Sequence, residues 1–260
     1  MIFGVLLKKN NKTLLIGGSG NLGLSIIKSG LFKNLLYPKK KNLNILNRNS
    51  IKKILKKHKF DLIIHCAAMA KIVDCEKNIS KAININISGT FNLVKEILCY
   101  EINYKRKIKL IHISSDAVYP SQKGNYSENS LLGPYNIYGW TKIASEFLAR
   151  LVDEHIIIRT RFFNKEKIKF KKSASDIFTS KIEINDLVKK IKMVSSKSYV
   201  GVVNVGSKRR SDYDVYKRFK NNLKSCKRRD IMKSLDVNLA KDASMNLSLL
   251  KKIEKYLWKK

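Results

Sequence analysis

"KTLLIGGSGNLGLSIIKSG", residues 12–30, runs from a short apolar segment through the four glycines of GGSGNLG into a stretch whose apolar positions Leu22, Ile26 and Ile27 recur at helical spacing. Strand, glycine turn and helix in that order make a βα unit. Gly17, Gly18, Gly20 and Gly23 satisfy both GxGxxG and GxxGxxG, and they do so between a strand and a helix, where the pattern carries meaning. Glycines there permit the tight turn and let a pyrophosphate approach the backbone. The free N–H groups and the dipole at the helix start stabilise its charge. A dinucleotide cofactor is expected, with Gly17, Gly20, Asn21, Leu22 and Gly23 among its contacts.

Working outward, strand-like runs follow at FDLIIHCAA (60–68), IKLIHISS (108–115), HIIIRT (155–160) and GVVNVGS (201–207), separated by helix-length segments around 80–102, 135–153 and 185–195. Strands that are apolar throughout and alternate with helices indicate a parallel sheet covered on both faces. The expected fold is α/β, a Rossmann-like doubly wound parallel sheet with a small C-terminal substrate lobe. Residues 11–160, joined by about 185–207, form the dinucleotide-binding domain. Residues 161–184 and 208–260, where the pattern loosens, form the lobe.

The chain has 260 residues, 54 Lys plus Arg against 20 Asp plus Glu, and a net charge of +34. Such a surplus attracts polyanions. The basic residues are spread along the whole chain, however, and no helix-turn-helix, zinc-finger or aromatic-studded RNA motif accompanies them, so no specific nucleic-acid partner is expected. With 44% hydrophobic residues the chain has the means to fold. Cys66, Cys75, Cys99 and Cys226 form no CxxC pair and lack histidines at ligand spacing, so neither a metal site nor a disulfide framework is expected. A reducing cytosol fits. In MIFGVLLKKNNK the lysines follow the apolar run and no small-residue cleavage site appears, which argues against a signal peptide, and no run is long enough to span a bilayer.

Between Gly23 and Asp61 there is no Asp or Glu to bind the ribose hydroxyls of NAD, whereas Lys39, Lys40 and Lys41 fall where the second strand should end. Cations there favour the additional phosphate of NADP over NAD.

Catalysis points to GPYNIYGWTK, residues 133–142. Tyr138 and Lys142 are four apart and share a helix face, while Tyr135 lies about two turns from the lysine. A phenol is a poor acid or base near neutrality, and an adjacent ammonium would bring its pKa toward the working range. HISSDAVY adds Ser114 and Ser115 at a strand's C-terminal end, where ligands bind in such sheets.

With these motifs in order, namely GGSGNLG, HCAAMAKIVDCE, NISGTFNLV, HISSDAVY, YGWTK, IIIRT and SDIFTSKIEINDLV, the chain resembles the extended short-chain dehydrogenase/reductases. Within them it is most similar to the dTDP-4-dehydrorhamnose reductase-like sugar-nucleotide enzymes. The resemblance implies that Tyr138 is the catalytic acid/base, that Lys142 binds the nicotinamide ribose and tunes Tyr138, and that Ser115 bonds the reacting carbonyl. It places Cys66, Ala67, Ala68 and Asn86 beside the cofactor, and Asp74, Asp116, Arg161 and Asp176 toward the substrate. It implies NADPH-dependent reduction of the 4-keto group of a nucleotide-linked deoxysugar for surface polysaccharide; a homodimer is the candidate assembly. An epimerase or dehydratase of the same fold and a non-catalytic regulatory subunit are the alternatives, and Lys208 to Arg210 are further candidates for the substrate's diphosphate.

Overall fold

Two apolar layers enclose the strands in a computed structural model that describes residues 2–3 and 11–255. Most of the 1–12 stretch read above against a signal peptide, and the last five residues of the 208–260 segment, lie outside the described residues. In chain order the elements begin with β1 (Ile2–Phe3), β2 (Lys12–Ile16), α1 (Asn21–Ser29), β3 (Asn34–Leu36), α2 (Arg48–Lys57), β4 (Leu62–His65), α3 (Ile72–Lys77) and α4 (Ile79–Ile83). A π-helical turn, Asn84–Ser88, leads into α5 (Gly89–Tyr104), followed by β5 (Lys109–Ser115), α6 (Ile137–Ala149), β6 (His155–Thr160) and β7 (Phe162–Phe163). Then come β8 (Lys172–Ala174), β9 (Phe178–Thr179), β10 (Ile182–Glu183), α7 (Ile184–Ser195) and β11 (Tyr199–Val205). The chain continues with β12 (Arg210–Ser211), α8 (Asp212–Lys217), β13 (Lys224–Cys226), α9 (Arg228–Leu235) and α10 (Ser248–Lys255).

The main sheet has seven strands in the order β1-β11-β6-β5-β4-β2-β3. Every neighbouring pair is parallel except β1 with β11. Strand alternation explains the two layers. Leu15, Ile64, Ile111, Ile158 and Val203 point to a cluster closed by α1, α7 and α10, while Leu14, Ile63, Leu110 and Ile157 point to one closed by α2, α5 and α6. The chain order reverses between β2 and β4, and a doubly wound sheet leaves its ligand crevice at such a reversal.

Beyond Thr160 the structure is more regular than the sequence pattern indicates. Three two-stranded pairs form, β7 with β10, β8 with β13 and β9 with β12, each only two or three residues long and therefore too short for periodicity to reveal. Within 208–260, α10 buries Leu250 and Ile253 in the cluster beneath the sheet. This part of the tail completes the sheet's packing.

Two buried charges join β6 to α6. Arg159, 1% exposed on β6, donates from Nη2 to Glu146 Oε2 of α6 at 2.7 Å and from Nη1 to Tyr119 Oη at 3.0 Å. Tyr119 in turn donates to Asn204 Oδ1 of β11 at 2.8 Å. Burial disfavours the Arg159 charge, but the hydrogen bonds and charge of Glu146 hold its pKa above the ordinary value. Arg159→Leu leaves the Glu146 carboxylate buried without its partner, and urea unfolding should show a loss of ~3–5 kcal/mol. A loss below ~1 kcal/mol would contradict the role given to this pair.

Candidate active site

At the reversal point the glycine turn and the end of β4 touch. A Cβ on Gly17, whose φ is +91°, would lie 2.6 Å from Ala67 N, and one on Gly23 would lie 2.2 Å from Gly17 O. Both glycines are therefore required by close packing, and the Cys66–Ala67 backbone lines the turn. Gly20 differs, since a Cβ there would meet only Gly17 O at 3.4 Å, so this position faces open space. Gly20 is also the N-cap of α1, with no side-chain cap and no acidic residue in the first turn. The first N–H groups of the helix lack intrahelical acceptors and face outward for an anion. These features fit a dinucleotide's diphosphate. Leu22 contributes only backbone, because its side chain is in the core, and the Asn21 side chain accepts from Lys167 Nζ at 2.8 Å. Lys39, Lys40 and Lys41 are exposed just beyond β3, on the loop that begins with Tyr37, whose Cβ would be 3.4 Å from a Cβ on Gly18.

Asn86 lies in the π-helical turn and is fully engaged with protein. Its Nδ2 donates to Met69 O at 3.0 Å and to Thr141 Oγ1 at 2.9 Å, and its Oδ1 accepts from Met69 N at 2.7 Å. Asn86 thus ties the chain after β4 to α6, one residue before Lys142.

The β5 strand delivers Ser114 and Ser115 at its C-terminal end. The Ser114 hydroxyl donates to Glu146 Oε1 and turns away from the crevice. Ser115 donates to Asp116 Oδ1 at 3.2 Å and lies close enough to Tyr138 to lower the phenol's pKa. The Asn136 side chain caps α6 by accepting from Gly139 N at 2.7 Å, which sets the phase of the helix and carries Tyr138 to Ser115.

The charge arrangement differs from the sequence reading in one respect. Burial pushes the Tyr138 phenol up to about 12, the nearby Ser115 hydroxyl lowers it, Asp116 and Cys75 raise it, and Arg161 lowers it. Lys142 is directed elsewhere, with its Nζ donating to His112 Nε2 at 3.2 Å. Burial pulls Lys142 down to about 8, against the raising influence of Glu146 and Cys66. The expected drop of the phenol toward neutrality is therefore corrected. Desolvation dominates, and Tyr138 holds its proton across the physiological range.

Among the residues assigned to substrate, Asp116 is fully buried and ion-paired through Oδ2 with Arg161 Nε at 3.1 Å. Oδ2 makes no well-aligned hydrogen bond, so the attraction is one of charge. Burial raises the Asp116 carboxyl, opposed by Arg161 and Lys181. Asp116 has no surface for a substrate and acts as a support behind Ser115. Arg161 keeps 21% of its side chain exposed and also donates to Tyr135 Oη at 3.4 Å, so it stands at the site. Asp74 is exposed on the short α3, and Asp176 accepts from Arg228 N at 2.6 Å, committed to the lobe's own structure. Arg209 is held by Asp242 at 2.8 Å and covers the Phe178 ring, so of the 208–210 group this guanidinium is already occupied. Lys181, which pairs with Asp212 at 2.7 Å and reaches Tyr216 Oη at 2.9 Å, was not singled out from sequence. Its only sequence signal is its place inside the SDIFTSKIEINDLV motif.

Comparison with known proteins follows this geometry. The family model described as RmlD substrate binding domain matches residues 11–188. A dTDP-4-keto-6-deoxy-D-glucose reductase of Streptomyces niveus is 30% identical over 155 residues, 58% of this chain and 52% of that protein. A methionine adenosyltransferase 2 subunit beta of Bos taurus is 29% identical over 146 residues, 53% of this chain and 42% of that protein. The chain thus spans about half the length of the curated relatives it matches. A crystal structure of dTDP-4-dehydrorhamnose reductase from Bacillus anthracis in complex with NADP superposes with a TM-score of 0.81 over 95% of this chain and 92% of that one. At 20% identity this likeness establishes the Rossmann-like fold. Among the described residues no helix is long and apolar enough to cross a membrane.

The buried Lys142 has a stability signature. Its pKa lies at about 8 when folded and at 10.5 when free, so the unfolded chain binds the proton more tightly and the charged form opposes folding. Lys142→Met should raise stability at pH 7 by ~3 kcal/mol while removing the ammonium. The sign follows from the lowered folded pKa: the advantage is complete below pH 8 and shrinks as pH rises toward 10.5. Urea unfolding across that range tests it, and a variant less stable than wild type at pH 7 would contradict it.

Proposed function

Because the chain belongs to the family described as the RmlD substrate binding domain, we propose that it is an NAD(P)-dependent oxidoreductase of the extended short-chain dehydrogenase/reductase type. In this reading it uses NADPH to reduce the 4-keto group of a nucleotide-linked deoxysugar. The single observation that carries this reading is the convergence of Ser115, at the end of β5, with Tyr138 of α6, close enough that Ser115 lowers the phenol's pKa, in a sheet whose glycine turn suits a diphosphate.

In the proposed reaction the reduced nicotinamide supplies a hydride when bound, and the protein supplies placement and a proton. Gly17, Gly20 and the start of α1 take the diphosphate, Ala67 and Ala68 line the cofactor by backbone, and Lys142 holds the nicotinamide ribose. Ser115 and Tyr138 converge on the carbonyl oxygen, where Ser115 donates a hydrogen bond as negative charge develops. Tyr138 transfers its proton to that oxygen. Arg161 then faces the phenolate, and its charge lowers the phenol's pKa in that state. The exposed part of Arg161 and the cationic surroundings also suit the substrate's diphosphate. Lys39 and Lys40 are the proposed contacts of the 2′-phosphate of NADP, which supports NADPH over NADH. A cytosolic setting and a role in surface polysaccharide precursor synthesis accompany this reading.

A second reading is favoured by the methionine adenosyltransferase subunit beta relative, which is named as a subunit of another enzyme. A binding subunit would keep the cofactor crevice and dispense with Tyr138. The test is loss of NADPH absorbance with a panel of nucleotide-linked 4-keto-6-deoxysugars. Tyr138→Phe should lower turnover at least about a hundredfold while leaving NADPH affinity within about threefold. No NADPH consumption on any of the sugars, with the cofactor still bound, would shift the assignment to the binding subunit or to an epimerase or dehydratase, which return the hydride to the sugar. Replacing Lys39, Lys40 and Lys41 with alanine should reduce the preference for NADPH over NADH at least about tenfold in titrations of the two cofactors. Unchanged discrimination would remove those lysines from the cofactor site.

A further inference from the structure

On the α5/α6 side of the sheet, strand alternation carries an apolar layer with two conspicuous exceptions. His65 of β4 and His112 of β5 are cross-strand neighbours, each 1% exposed, with rings 5.2 Å apart. His65 Nε2 lies 3.1 Å from Thr90 Oγ1, which also reaches Asn86 O at 2.7 Å. His112 Nε2 lies 3.2 Å from Lys142 Nζ and 3.0 Å from Ser145 Oγ, whose single hydrogen can go to that nitrogen or to Lys142 O at 2.9 Å. An ammonium has donors only. His112 Nε2 is therefore the acceptor, and the ring hydrogen sits on Nδ1.

The Nδ1 atoms of both histidines are buried without partners. Orphaned polar groups of this kind oppose folding, so a pair of them in the core calls for a reason. Folding alone would be served better by two aliphatic side chains at these positions, as at Ile63 and Leu110 in the same layer.

We propose that His112 is a positioning residue for the reaction, a neutral acceptor buried behind Lys142 that fixes the ammonium in place for the cofactor's ribose and keeps it charged over the working pH range. The proposal rests on the reductase reading for the role of Lys142. The titratable groups that interact with Lys142 are Glu146 on its own helix, His65 and Cys66 from β4, and His112 from β5. Glu146 is already paired with Arg159, which leaves His112 as the group that directly accepts from Nζ. Burial, Lys142 and His65 hold His112 well below the ordinary imidazole range, so it remains a neutral acceptor while Lys142 titrates. A hydrogen bond accepted from the charged form opposes the effect of burial on Lys142.

The test compares His112→Leu, which removes the acceptor, with His112→Gln, which offers an amide oxygen. NADPH affinity, read by fluorescence titration without any sugar, is expected to fall as pH rises through the Lys142 pKa. In His112→Leu the fall should begin about one pH unit lower, and His112→Gln should recover at least half of that shift. Coincident pH profiles for wild type and His112→Leu would overturn the proposal, and so would a shift that His112→Gln does not reverse. Unfolding measurements give a readout independent of cofactor. His112→Leu should destabilise the wild type but stabilise Lys142→Met, in which the imidazole has no ammonium to serve. The same change in both backgrounds would overturn the proposal. If wild type binds no NADPH at any pH, the reductase reading fails, and the stability cycle alone decides the Lys142–His112 coupling.

Discussion

The ion pair between Arg159 and Glu146 is the constraint on which the site's geometry depends. Two charges taken out of water are tolerated only where their hydrogen-bonding capacity is met, and Ser114, Tyr119 and the Glu128 carbonyl meet it here. Glu146 shares the stripe of α6 occupied by Tyr138 and Lys142, at intervals of four residues. Locking Glu146 to β6 therefore fixes the rotation of the helix, and the bond to Ser114 fixes its height against β5. Ser115, one residue further along the same strand, then meets Tyr138. The pair that orders the core is thus also what aligns the proposed donor with the proposed carbonyl site.

Dryness follows from the same packing and has opposite consequences for the two groups on that stripe. It raises the phenol, which secures a proton for donation, and it lowers the ammonium to a range where small changes in its surroundings decide its charge. The cation that lowers the Tyr138 pKa is Arg161, held at the site by Asp116. This division of labour gives Asp116 and Arg161 a place in the proposed mechanism as supports of Ser115 and Tyr138.

Much of this was legible in the sequence, because the signals involved are local. The glycine turn, the apolar strands and the Tyr138–Lys142 spacing each lie within a few residues, and periodicity or φ requirements express them directly. What stayed hidden depends on tertiary contact. Spacing placed Lys142 on the same face as Tyr138 but had no way to reveal that His112, thirty residues earlier, takes its ammonium. Asp116, beside a serine, reads as a substrate-side carboxylate, and only the fold buries it against Arg161. Asp176 likewise reads as a loop carboxylate, and its partner Arg228 lies fifty-two residues away. The short strand pairs after Thr160 are held by cross-lobe pairing and carry no pattern of their own.

If Tyr138 and Ser115 complete a net reduction, the hydride remains on the product. The most direct measurement supplies NADPH deuterated at the transferable position together with a nucleotide-linked 4-keto-6-deoxysugar and locates the label by mass spectrometry and NMR. The expected result is a single deuterium on the carbon that bore the keto group, with one cofactor oxidised per sugar. A product carrying no deuterium, or a sugar altered without net oxidation of NADPH, would contradict the account.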